Sequence, residues 1–233
     1  PKVDIVTGKI RGAEALVRLV DKEGKLISPG RFVPLAEENG QILEIDNFVY
    51  KETFRLMQKW QQEGKQVPLI SVNVSRLHLL QDELPQYIKS LSDEYGLKPG
   101  QIELEITESV FFQDTERLVA IIKQMRDLGF VISMDDFGAG FSTLSLMKSL
   151  PVDVIKLDGG FFLKSELDDK NKAVIAAMLH LAENLGFEVI AEGVEKKEQV
   201  DFIRGQGGRL VQGYYYYKPM PADEFEKLLT EKK

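Results

Sequence analysis

Glu14, Asn73, Glu105, Asp135 with Asp136, and Glu192 stand at the ends of short β-like runs along almost the whole chain, and Lys156 joins them from another such run. Packing does not gather such groups, because each desolvated carboxylate costs several kcal/mol unless it is paired or bound to metal. One shared polar site holding divalent cations accounts for the set. Hard oxygen donors select Mg²⁺ or Mn²⁺ over zinc. The sequence has no cysteine, and its two histidines are His78 and His180. That excludes a thiolate nucleophile and cysteine-ligated zinc, and leaves little material for a histidine-built metal cluster or a serine–histidine triad.

Strands must bring these residues together. Leu69–Val74, Ile102–Ile106, Val131–Met134, Val152–Leu157 and Glu188–Ala191 are short, apolar and rich in β-branched residues,. Between them lie runs with helical spacing. Phe48–Glu63 turns Val49, Phe54, Leu56, Met57 and Trp60 to one face. Thr115–Leu128 does the same with Leu118, Val119, Ile122, Met125 and Leu128, and Lys172–Leu185 with Val174, Ile175, Met178, Leu179 and Leu185,. Gly64, Gly129 and Gly186 follow these runs as left-handed caps would,.

The alternation is that of a parallel α/β sheet, and the chain has room for about eight units of a (β/α)8 TIM-type barrel. A doubly wound open sheet is the second choice. Chemistry in a barrel gathers at the C-terminal rim, where the acids fall. Period-2 alternation through Glu14-Ala15-Leu16-Val17-Arg18 sends Glu14 and Arg18 into one pocket. Glu103 shares parity with Glu105 but lies deeper, so Glu105 is the expected ligand.

The 233 residues suit one domain spanning 1–233, and 43% apolar residues furnish its core,. A net charge of −7 argues against DNA or RNA as a partner,. No apolar run is long enough to span a membrane, no signal-peptide pattern opens the chain, and no membrane contact is expected from this segment. A reducing, cytoplasmic setting follows from cysteine usage as the default. The first residue is Pro1, and the chain reads as a piece of a longer polypeptide, with sensory or membrane parts elsewhere.

Seven motifs recur in order: Glu14-Ala15-Leu16 with Val17-Arg18; Asn73-Val74-Ser75; Glu105-Ile106-Thr107-Glu108; Asp135-Asp136-Phe137-Gly138; Ile155-Lys156-Leu157-Asp158; Ala191-Glu192-Gly193-Val194-Glu195; and Gln212-Gly213-Tyr214. Together they resemble the EAL domain family of cyclic di-GMP phosphodiesterases. The resemblance implies a modified barrel binding two Mg²⁺ or Mn²⁺ ions, which opens cyclic di-GMP to linear 5′-pGpG. Glu14, Asn73, Glu105, Asp135 and Asp136 match its metal ligands, and Glu192 a further acid at the site. Lys156 matches the lysine near the attacking water, Arg18 a phosphate contact, and Gln212 a glutamine ordering the same region. Glu108 matches the acid anchoring the loop after Asp136, a loop linked in the family to dimerisation. Two departures stand out. The loop reads Ala139, Phe141 and Thr143 where the family has Thr, Tyr and Ser, and a strand that the family carries before Pro1 is absent, which puts barrel closure in question.

Plainer readings exist for single residues. Asp135-Asp136 can cap a helix, Lys156 can pair with Asp153 or Asp158, and Asn73 can satisfy backbone groups. Arg18 can form a surface ion pair, and Tyr214–Tyr217 reads as an aromatic strand. Two other functions compete with hydrolysis. A silent cyclic di-GMP receptor of the same fold binds without cleaving, and a barrel lyase uses Lys156 as a Schiff-base amine. The apolar segment 141–150 is the expected homodimer contact.

Overall fold

The computed structural model describes residues 1–112, 115–138, 151–163 and 169–230. Its strands in chain order are β1 (Lys2–Asp4), β2 (Ile10–Ala15), β3 (Leu19–Val20), β4 (Leu26–Ile27), β5 (Leu69–Asn73), β6 (Ile102–Thr107), β7 (Val131–Phe137), β8 (Val154–Leu157), β9 (Glu188–Ala191) and β10 (Leu210–Val211). Eight of them close a barrel in the order β1-β10-β9-β8-β7-β6-β5-β2, and β3 with β4 makes a separate ribbon.

Neighbours in the barrel run parallel, except that β1 is antiparallel to both β2 and β10. The short link from β1 to β2 forces this, since parallel strands need a long crossover. Asp4 Oδ1 accepts hydrogen bonds from the Val6 and Thr7 amides and tightens that turn. The fold is therefore a modified (β/α)8 barrel. Closure, in question from the sequence, is complete: Val3 pairs with Val211 on one side and with Ile10 on the other.

Helices wrap the barrel at the expected places, with ends extended or trimmed. The first amphipathic run becomes Ile42–Gln62, burying Tyr50, Phe54, Met57 and Trp60. The others are Thr115–Asp127 and Asp169–Asn184. Gly64, Gly129 and Gly186 adopt φ of 72°, 96° and 81° after these helices, as their caps require. Strand residues of one parity, such as Val72, Leu104, Ile106, Ile132 and Met134, pack outward into one large core beneath the helices. The opposite parity lines the barrel interior, where Val154, Ile190 and Leu210 form a small apolar cluster. Each fully buried Leu, Ile or Phe stabilises the fold by about 1.5–3 kcal/mol.

Tyr214–Tyr216 form a turn and not a strand, because β10 ends at Val211. The Gly213 carbonyl there accepts from the Tyr216 and Tyr217 amides. No helix among the described residues is long and apolar enough to cross a membrane.

Candidate metal centre at the barrel rim

Inward parity at the C-terminal strand ends delivers the expected residues to one mouth. Lys156 on β8 is 1% exposed and sits among four carboxylates. Its Nζ lies 2.9 Å from Glu105 Oε2, 2.8 Å from Glu192 Oε1, 3.0 Å from Asp135 Oδ1 and 3.5 Å from Glu14 Oε2. Pairing of Lys156 with Asp153 or Asp158 is thus set aside; Asp153 meets Arg126 at 2.9 Å instead.

Amide side chains steady the cluster. Asn73 Nδ2 donates to Glu14 Oε1 at 3.0 Å, and Gln212 Nε2 donates to Glu14 Oε2 at 2.7 Å. Both oxygens of Glu14 are therefore held, one from the neighbouring β5 and the other from the residue that follows β10. Asn73 does more than satisfy local backbone, a task that falls to Ser75, whose Oγ accepts from the His78 amide. His78 is buried with its Nδ1 3.2 Å from Asp46 Oδ2, away from the acids, and His180 is exposed.

Period-2 alternation would send Asp135 and Asp136 to opposite faces. The register of β7 against β8 shifts between Met134 and Phe137, and Asp136 takes φ 56°. The irregularity re-aims the pair. Donor oxygens of Asp135, Asp136 and Glu192 come within 4.8 Å of one another, as do those of Glu14, Glu105 and Asp135. Two oxygen-only triads thus share Asp135, and this donor set fits two adjacent hard divalent cations.

Electrostatics agree. Burial pushes the Glu192 carboxyl up to about 8 against the pull of Lys156, and repulsion from Asp135 and Glu14 adds to the rise. Burial and the charge of Glu105 likewise raise Glu14, and burial with Asp135 raises Asp136. Burial opposes ionisation of Glu105 too, but Lys2 and Lys156 together hold it well below the usual carboxylate range. Lys156 is raised far above its ordinary value because its carboxylate neighbours outweigh its burial. The mouth is short of positive charge, the condition that favours a cation.

Backbone packing sets the loops carrying these groups. Gly193, next to Glu192, has φ 64°, and a Cβ there would lie 2.8 Å from Gly159 Cα. The loops after β8 and β9 therefore touch backbone to backbone. Glu108 is buried and its Oε2 accepts from the Gly138 amide at 3.0 Å, anchoring the start of the segment after Asp136. Ala139, Phe141, Thr143 and the expected dimer segment 141–150 lie outside the described residues.

Strand β2 ends at Ala15, so alternation does not carry Arg18 inward; Leu16 and Arg18 are exposed, and Arg18 Nη1 donates to the Val17 carbonyl. Arg18 nonetheless lines the same cavity of about 890 Å³ as Glu14, Asp135, Lys156, Glu192, Gln212 and Tyr214. Two residues at the site were not expected. Lys2 and Glu103 are buried in the interior and joined at 2.8 Å. The parity that Glu103 shares with Glu105 was their one sequence signal, since an inward acid below the rim needs a cation.

A closed barrel with a two-triad, oxygen-only centre at its C-terminal rim is the class that fold and site define. The chain belongs to the EAL domain family, whose model matches residues 1–219. It is 37% identical over 224 residues to the oxygen sensor protein DosP of Escherichia coli, covering 96% of this chain and 28% of that protein. It is 35% identical to the bifunctional diguanylate cyclase/cyclic di-GMP phosphodiesterase MucR of Pseudomonas aeruginosa, covering 96% of this chain and 33% of that protein. The chain thus spans about a third of the length of these curated relatives. Among solved structures, the PaMucR phosphodiesterase in complex with c-di-GMP superposes with TM-score 0.91 at 35% identity, covering 97% of this chain and 91% of that one. The FimX EAL domain of Pseudomonas aeruginosa, 20% identical with TM-score 0.83, shares the fold.

Proposed function

We propose that this domain hydrolyses cyclic di-GMP to linear 5′-pGpG with two divalent cations, Mg²⁺ or Mn²⁺. The observation that carries this reading is the convergence of Glu14, Glu105, Asp135, Asp136 and Glu192 into two triads sharing Asp135 around Lys156. Similarity to the c-di-GMP complex of PaMucR supports the substrate.

Glu14, Asn73, Glu105, Asp135, Asp136 and Glu192 would hold the cations. When bound, such ions supply Lewis acidity and a hydroxide at neutral pH. Lys156, hydrogen-bonded within the cluster, orients the water that attacks phosphorus and offsets charge on the equatorial oxygens. The P–O3′ bond breaks as the new P–O bond forms, and the departing 3′-oxygen takes up a proton. Glu192, 2.8 Å from Lys156 at the mouth, either holds a cation or takes a proton from the attacking water,. Arg18 at the cavity wall binds a phosphate, and Gln212 fixes Glu14. Glu108 anchors the loop after Gly138.

We further read the chain as one domain of a longer signalling protein that works in the cytoplasm as a homodimer. The test is incubation with cyclic di-GMP and Mn²⁺ or Mg²⁺, with chromatography for the linear dinucleotide. Appearance of 5′-pGpG, lost with EDTA and in Glu14→Ala, is expected. Tight binding of intact dinucleotide with no cleavage would instead make the domain a receptor. Trapping of a carbonyl compound on Lys156 by borohydride would point to a lyase.

A further inference from the structure

Beneath the rim lies a second tier of charge that hydrolysis itself does not use. Lys2 is 2% exposed and Glu103 fully buried. The Lys2 ammonium lies 2.8 Å from Glu103 Oε2 and 2.9 Å from Glu105 Oε1, while Lys156 takes Glu105 Oε2 at 2.9 Å. Each oxygen of Glu105 is gripped by a different lysine. Gly12 pairs with Lys2 across the sheet, and the fully buried Ser71 and Ser133 neighbour Glu103 and Glu105 on the flanking strands. The small Ser71 and Ser133 leave room in the interior beside the two acids, whereas a Cβ on Gly12 would meet the Leu69 carbonyl at 2.6 Å. Across the barrel, Val154, Ile190 and Leu210 fill the interior with apolar groups alone.

The polar half is a costly choice for stability. A buried ion pair gives little or nothing over well-packed apolar residues of similar size. Glu103 Oε1 moreover finds no hydrogen-bond partner among the described residues. Its position, directly under one expected metal ligand, suggests a different task.

We propose that Lys2 is a positioning residue for the metal centre, fixing the Glu105 carboxylate from below while Glu103 neutralises the added charge. The proposal rests on the two-cation hydrolase reading. Lys2 touches no reacting atom. It removes the freedom of Glu105 to swing about its last torsion, so that the carboxylate meets a cation in one orientation. Without it one oxygen of Glu105 is unanchored and the ligand must be ordered at the moment of binding.

The Lys2→Met/Glu103→Leu double variant removes both charges together and keeps the interior filled. Its Tm in EDTA is expected to match or exceed wild type. Mn²⁺ affinity by calorimetry should fall about 10–100-fold, with kcat falling in step and KM for cyclic di-GMP little changed. Glu103→Gln retains an acceptor for Lys2 and should lose several-fold less than Lys2→Met. A folded double variant that binds Mn²⁺ and turns over like wild type overturns the proposal. So does equal loss in Glu103→Gln and Lys2→Met, because only the second removes the grip of Lys2 on Glu105. If the double variant does not fold, that single-variant comparison decides alone. Wild-type protein that binds no Mn²⁺ overturns the hydrolase reading itself, a result separable from either outcome above.

Discussion

At the scale of single residues, the centre is a set of like charges gathered round Lys156, with Lys2 holding Glu105 from below. Lys156 contacts four carboxylates, and removing one partner of a buried ionic cluster costs about 3–5 kcal/mol. Lys156→Met is therefore expected to lower the Tm measured in EDTA, and Mn²⁺ should restore much of the loss by taking over the ammonium's electrostatic role. Activity should not return, because the water loses its orienting donor. Glu192 gives a pH signature. Its carboxyl is raised from an ordinary 4.5 to about 8, so the folded protein holds a proton that the unfolded chain releases. The stability this contributes is full below pH 4.5 and is lost as pH rises through about 8,. Glu192→Gln in EDTA should accordingly melt higher than wild type at pH 9, by a difference on the order of a few kcal/mol, and show no advantage near pH 4. Thermal melts across pH, with chelator throughout, check this.

At the scale of elements, local backbone irregularities do the aiming. Asp136 sits at φ 56°, a region that Asn tolerates and β-branched residues resist,. Asp136→Asn should keep the melting temperature while weakening Mn²⁺ binding, whereas Asp136→Val should also cost about 1–3 kcal/mol of stability. A circular-dichroism melt beside a calorimetric titration distinguishes the two. Gly193→Ala drives a Cβ toward Gly159 Cα; turnover should drop because Glu192 is displaced, even with the acid intact.

Much of this frame was legible beforehand. β-branched runs and helical spacing marked the strands and helices, and carboxylates ending those runs marked the rim. The bulge that turns Asp135 and Asp136 to one mouth was not, since it depends on strand register and leaves no trace in composition. Arg18 does share the cavity with Glu14, although the alternation offered as the reason lapses once β2 ends at Ala15. The tyrosine run looked like a strand by propensity, but hydrogen bonds to Gly213 made it a turn. Lys2 escaped notice because a lysine in a short strand ordinarily faces water, and only barrel closure by β1 turns it inward.

For the whole molecule, the candidate ligands come from β2, β5, β6, β7 and the end of β9, spread over more than half the barrel wall. Cation binding to the folded state alone must then stabilise the entire barrel. At 100 times Kd the gain is about 2.7 kcal/mol per site. That corresponds to roughly 2–4 °C of Tm for each kcal/mol in a chain of this size. Differential scanning calorimetry with and without Mn²⁺ should show one cooperative transition moving upward. A second transition left behind would mean that β1 and β10 melt apart from the rest.

The crowding of Glu14, Asp135 and Glu192 around one lysine also bears on how such a domain ages under mutation. Removing the charge of Glu14 or Glu192, whose carboxyls burial raises, is expected to relax the metal-free fold and to abolish the proposed cleavage. Random drift without selection for turnover therefore runs downhill toward sturdier, inert descendants. A laboratory screen for heat tolerance in chelator should recover substitutions at the mouth early, and their sequences would mark the acids whose repulsion strains the barrel.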